Sequence, residues 1–161
     1  MSDSILQRRG PLDGAAPIDL PGLTVRAAPP VVRHKLYGAS PMDLPRDPCR
    51  ARDLAGGTAL WLGPEEWLLL GAADFQADSV VDVSHAFAGL DVTGALAADT
   101  LNAGCPLDLD LAAFPVGMCT RTILGKAEII LWRRDAEWFR IEIARSFAAY
   151  VLAFLRESAT G

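Results

Sequence analysis

The C-terminal third of the chain leaves little choice of fold. Residues 120–124, 127–132 and 137–143 are compact apolar runs, separated by Gly125-Lys126 and by residues 133–135, and this spacing predicts an antiparallel meander. In the third run Phe139, Ile141 and Ile143 fall on one face and Trp138, Arg140 and Glu142 on the other, the period of a strand buried on one side. Phe147, Tyr150, Val151, Phe154 and Leu155 then recur at helical spacing, so a last helix can lay one apolar stripe over the sheet, with Ser146 as its N-cap.

Upstream signals agree with this. Residues 58–62 and 67–70 are apolar runs joined by Gly63-Pro64-Glu65-Glu66, a predicted hairpin in which the two glutamates form a solvated turn. Short strands are predicted at 23–27, 31–37, 80–83 and 90–92. A helix is predicted over 94–103, capped by Thr93 and closed by Gly104, and a helical turn over 50–54. Residues 1–20 carry Gly10, Pro11, Gly14 and Pro17 without apolar periodicity and are expected to be a flexible arm. Residues 21–161 are expected to be a single α+β domain, a mostly antiparallel sheet with helices packed on it.

Composition narrows the function. Hydrophobic residues make up 51% of the 161 and charged residues 22%, the balance of a folded chain, and the net charge of −5 disfavours a phosphate-backbone partner. Cys49, Cys105 and Cys119 are odd in number with no C-x-x-C, which points to reduced thiols in the cytoplasm and against a zinc ribbon or a disulfide framework. No apolar run reaches 18 residues, and the N-terminus lacks the apolar core of a signal peptide, so no membrane partner is expected.

The search for chemistry is mostly empty. His34 and His85 are the two imidazoles; Asp82, Ser84 and His85 lie together, but strand geometry turns His85 away from the other two, and a structural histidine is the simpler reading. Asp108 and Asp110 could project as a carboxylate pair, against the plainer reading that they cap turns. No nucleotide-binding glycine loop occurs. A weak anion-site candidate is Arg145 beside Ser146 at the predicted helix start; a salt bridge or a partner contact is the alternative.

Four strings, WLGPEEWLLL (61–70), VDVSH (81–85), GCPLDLDLAAFPVGMCTRT (104–122) and RSFAAYVLAFL (145–155), resemble the gamma subunit of heterotetrameric sarcosine oxidase. DLPRDPCR (43–50) is similar to a Leu-Pro stretch earlier in that family. The resemblance implies a fold like the folate-binding domain of glycine-cleavage T-proteins. It also implies a non-catalytic role beside alpha, beta and delta subunits, chiefly alpha, in an enzyme that converts sarcosine to glycine, hydrogen peroxide and 5,10-methylenetetrahydrofolate. FAD, FMN, NAD, zinc and tetrahydrofolate would sit on those other subunits. No catalytic residue of the family transfers to this chain. The alternatives are a free-standing folate-binding or aminomethyltransferase-like protein, disfavoured by the chain's length, and a binding module with a vestigial pterin pocket. With no site for chemistry to absorb the apolar surface, Trp138 and Arg140 are the candidate partner interface, and the isolated chain is expected to self-associate.

Overall fold

The computed structural model describes residues 9–38, 44–72 and 77–161. The first elements among the described residues are a hairpin of β1 (Ile18–Leu20) and β2 (Leu23–Ala27), turned at Gly22 with φ 78°. Five strands follow: β3 (Arg33–Tyr37), β4 (Ala51–Leu54), β5 (Gly57–Gly63), β6 (Glu66–Gly71) and β7 (Ser79–Asp82). After these come β8 (Phe87–Thr93), helix α1 (Ala97–Asn102), and the meander β9 (Cys119–Leu124), β10 (Ala127–Asp135) and β11 (Trp138–Ala144). A 3-10 turn, Arg145–Phe147, leads into helix α2 (Ala148–Thr160).

The strands form two sheets, ordered β1-β2-β8-β11-β10-β9 and β4-β5-β6-β3-β7, with antiparallel ladders throughout. The second sheet is inserted between β2 and β8 of the first. The expected α+β class is therefore what forms, but as layers: helices, a six-stranded sheet, then a five-stranded sheet.

Alternation in the strands sorts side chains between these layers. Phe139, Ile141 and Ile143 are fully buried in the core between the six-stranded sheet and the helices, where each such side chain contributes roughly 1.5–3 kcal/mol. The opposite face of the same sheet gives Cys119, Ile130 and Trp132 to a second core, met by Leu60, Leu62 and Leu68. A third, smaller cluster of Leu36, Leu44, Ala59 and Trp67 covers the far face of the five-stranded sheet, where the Trp67 indole N–H donates to the Pro45 carbonyl at 2.8 Å.

Local expectations fail where long-range contacts decide. Residues 9–20 are not a loose arm: Leu12 and Ile18 enter the main core, β1 pairs with β2, and the Arg156 guanidinium donates to the Ala16 carbonyl at 2.8 Å. Residues 51–54 form a strand instead of a helical turn, because Gly56 with φ 87° folds them back onto β5. Thr93 stays in β8 and bonds the Thr24 carbonyl, so α1 is shorter than expected and has no side-chain cap. Ser146 does not cap α2 either, since the 3-10 turn displaces the helix start to Ala148. The helix is rotated accordingly: Ala148, Val151, Leu152 and Leu155 are buried, while Phe147 and Tyr150 remain 43% and 36% exposed.

Candidate functional site

Trp138, Arg140 and Glu142 do project from β11 away from the Phe139 face, but the second sheet covers most of what they project into. Glu142 is buried between the sheets, and two guanidiniums reach its carboxylate. Arg33, from β3, donates Nε to Oε2 at 2.6 Å; Arg140 donates Nε to Oε1 at 2.7 Å. Arg140 continues to Asp91 at 3.6 Å, and Asp91 accepts the Trp138 indole N–H at 3.0 Å. Two cations and two carboxylates thus alternate and cancel, which is the condition for ionised groups to be tolerated in a low-dielectric interior. Gly89 lies opposite Glu142 in the β8–β11 ladder, and a Cβ there would come within 2.4 Å of the Arg140 guanidinium, so the missing side chain makes room for the network.

Arg140 is thereby placed inside the chain and withdrawn from the exposed surface on which a partner was expected to find it. Trp138 is half-buried at the rim. The exposed Arg134 stacks against it, its guanidinium carbon 4.0 Å from the Trp138 ring centre and 4.8 Å from that of Trp132.

Most of the remaining sequence candidates have hydrogen-bond or ion-pair partners within the chain. Asp82 accepts the Ser84 backbone N–H at 2.8 Å, and its bonds to Ser84 hold its carboxyl below the usual carboxylate range. Ser84 Oγ accepts the Arg33 backbone N–H at 2.8 Å, so the hydroxyl serves a strand junction; His85 beside it is exposed. His34 lies in β3 opposite Asp82 and Leu69. Asp108 and Asp110 are exposed and accept the backbone N–H groups of Asp110 and Ala112 at 2.9 and 2.8 Å, the turn-capping role. Glu65 adopts a left-handed φ of 57° in its hairpin turn; Glu66 pairs with Arg121 and, at 3.5 Å, with Lys35. Arg145 donates to the Arg9 carbonyl at 2.7 Å, fastening the N-terminal segment. Arg145 and Ser146 begin a three-residue 3-10 turn beside a shallow cleft that His85 and Pro11 also border. Among the described residues, no group of three or more His, Cys, Asp or Glu is placed to hold a metal ion, and no helix is long and apolar enough to cross a membrane.

Sequence reasoning missed Arg133. Although it is almost fully buried, its hydrogen bonds go to carbonyls: Nη1 donates to Leu109 at 2.9 Å and Phe114 at 2.7 Å, and Nη2 to Ala136 at 2.7 Å. Its plane also lies 4.6 Å from the Phe139 ring centre. These bonds tie the segment between α1 and β9 to the β10–β11 turn. An arginine ending an apolar strand run was the available signal, but nothing local says that the side chain turns inward.

The comparisons agree with this architecture. A family model described as "Sarcosine oxidase, gamma subunit family" matches residues 26–161. The chain is 31% identical over 147 residues to a sarcosine oxidase subunit gamma of Corynebacterium sp. (strain U-96), covering 83% of this chain and 72% of that protein. It is 32% identical over 130 residues to one of Arthrobacter sp., covering 71% and 64%. Among solved structures, a chain of the heterotetrameric sarcosine oxidase from Corynebacterium sp. U-96 in complex with pyrrole 2-carboxylate superposes with TM-score 0.83 over 95% of both chains at 24% identity, a likeness of fold. The fold class expected from the resemblance, akin to the folate-binding domain of glycine-cleavage T-proteins, agrees with these relatives. The chain belongs to the sarcosine oxidase gamma subunit family.

Proposed function

We propose that this chain is the gamma subunit of a heterotetrameric sarcosine oxidase and acts in assembly, docking chiefly on the alpha subunit and holding no catalytic centre of its own. The family match across residues 26–161 carries this reading, in preference to a free-standing folate-binding or aminomethyltransferase-like protein. FAD, FMN, NAD, zinc and tetrahydrofolate act on the alpha, beta and delta subunits, in the cytoplasm, where sarcosine is oxidised to glycine with release of hydrogen peroxide and transfer of the one-carbon unit to tetrahydrofolate. Trp138, with Arg134 stacked on it, belongs to the docking surface; Arg140 supports that surface from behind. Without its partners the chain self-associates through its exposed apolar groups.

Co-expression with the alpha, beta and delta subunits tests this. The complete set gives a complex that releases peroxide from sarcosine, and leaving out this chain abolishes its recovery. The isolated chain is colourless. A flavin spectrum or sarcosine oxidation by this chain alone, or a fully active complex recovered without it, overturns the reading.

A further inference from the structure

From Leu111 to Met118 no side chain carries a nitrogen or an oxygen, yet this stretch lies on the surface. Leu111 is 48% exposed, Val116 47%, and Ala112 and Ala113 are exposed beside them. An apolar surface loop would ordinarily collapse or move, but this one is pinned. Leu109 and Phe114 are its buried anchors, the latter with its ring centre 6.4 Å from that of Phe139. The Arg133 guanidinium holds the carbonyls of both anchors, and the Asp110 carbonyl accepts the Phe114 N–H at 2.8 Å. The loop is therefore ordered before any partner arrives, which removes the ordering cost that weakens association through flexible segments.

Its surroundings are charged. Asp108 and Asp110 precede the loop, and Asp135 and Glu137, also exposed, stand at the β10–β11 turn, to which Arg133 ties the loop. Of the exposed bases, Arg134 is engaged with the two tryptophans, and Arg50 stands at the loop's far end, where its backbone bridges to Met118. The Trp132–Arg134–Trp138 stack lies across the same turn, since consecutive residues Arg133 and Arg134 serve opposite faces of the strand. Apolar loop, acidic rim and aromatic–arginine stack thus meet at one end of the six-stranded sheet.

We propose that this end of the molecule, centred on Leu111 and Val116, inserts into an apolar hollow rimmed by arginine and lysine on a larger subunit of the complex. The occupant follows from charge complementarity, because four exposed carboxylates around an apolar centre need basic partners. The inference rests on the assembly reading above and specifies its surface.

The test is co-purification of the complete complex carrying Leu111→Asp and Val116→Asp, with Val80→Asp on β7 as an equally exposed control. The double variant is expected to lower recovery of the complex more than tenfold, with the melting temperature of the isolated chain unchanged, while Val80→Asp assembles as the wild type does. Full assembly of the double variant overturns the inference and leaves the assembly reading standing; failure of the wild-type chain to assemble overturns the reading itself. A photo-crosslinking side chain placed at position 116 keeps the test decisive if the double variant misfolds. In the assembled complex it is expected to capture one larger subunit; no crosslink, or a crosslink to a second copy of this chain, refutes the inference.

Discussion

Replacing Glu142 by glutamine keeps the shape of the side chain and creates no cavity, so what it costs measures the inter-sheet charge network. Each carboxylate oxygen receives one arginine Nε, at 2.6 Å from Arg33 and 2.7 Å from Arg140. Glutamine has a single acceptor oxygen; whichever way the amide turns, its NH2 faces one of the two guanidinium donors. The lost charge also leaves two buried cations with Asp91 alone to compensate them. Breaking a buried pair by removing one partner costs ~3–5 kcal/mol. For a chain of this size each kcal/mol lowers the melting temperature by ~2–4 °C, so the fall is about 6–20 °C. Thermal and urea unfolding of the wild type and of Glu142→Gln would measure it. The same physics predicts that the triple change Arg33→Met, Glu142→Leu, Arg140→Met regains most of the loss, because the carboxylate it separates from Arg140, Asp91, is partly exposed and keeps the Trp138 indole N–H. A Glu142→Gln variant within ~0.5 kcal/mol of the wild type, against the 3–5 expected, would refute the reasoning; so would a triple variant no more stable than Glu142→Gln.

Three other residues, Gly89, Cys119 and Trp138, give predictions of their own. Gly89→Ala places a Cβ 2.4 Å from Arg140 Nη2 and is expected to cost ~1–3 kcal/mol in urea unfolding, with the penalty relieved when Arg140 is also replaced by methionine. Burial pushes the Cys119 thiol from 9.0 up to about 12, so at pH 8 it should resist iodoacetamide in the folded chain and react once urea is added. Between pH 9 and 12 the unfolded thiol ionises while the folded one does not, so its contribution is present below pH 9 and lost as pH rises, by ~1.4 kcal/mol per unit; the wild type should lose stability faster than Cys119→Val across that window. Trp138→Phe keeps a ring for Arg134 but removes the bond to Asp91, costing ~0.5–1.5 kcal/mol in the isolated chain, whereas Trp138→Ala should weaken the complex by ~2 kcal/mol in co-purification titrations.

The parts legible in the sequence were those whose partners lie nearby. The β5–β6 hairpin and the β9–β11 meander close through short turns, and period-2 alternation placed Phe139, Ile141 and Ile143 on the helix side. The companion expectation, that the Trp138 face lies open, missed a second sheet, because the contact that decides it joins Arg33 to Glu142 across 109 residues. Neither residue carries a local mark of burial. Asp108 and Asp110 were readable as turn caps, since an Asx turn is made within two residues. The helix starts were misread for the opposite reason: Thr93 and Ser146 suit an N-cap, but the ladder to β2 and the 3-10 turn claim those positions first.

The insertion of β3–β7 between β2 and β8 has a consequence for biosynthesis. During translation the β1–β2 hairpin emerges well before its neighbour β8, which begins only at Phe87, after the whole five-stranded sheet has been made. Until then Leu23 and Val25 have no core to enter, and an isolated two-stranded hairpin is marginal in water. The five-stranded sheet can pair within residues 33–82, but its inner face waits for Ile130 and Trp132, which come later still. The nascent chain therefore carries two half-built layers, each with an apolar face toward solvent, and closes them together when the β8–β11 region leaves the ribosome. Such a non-local topology folds slowly, and the exposed interval is when chaperones would engage it.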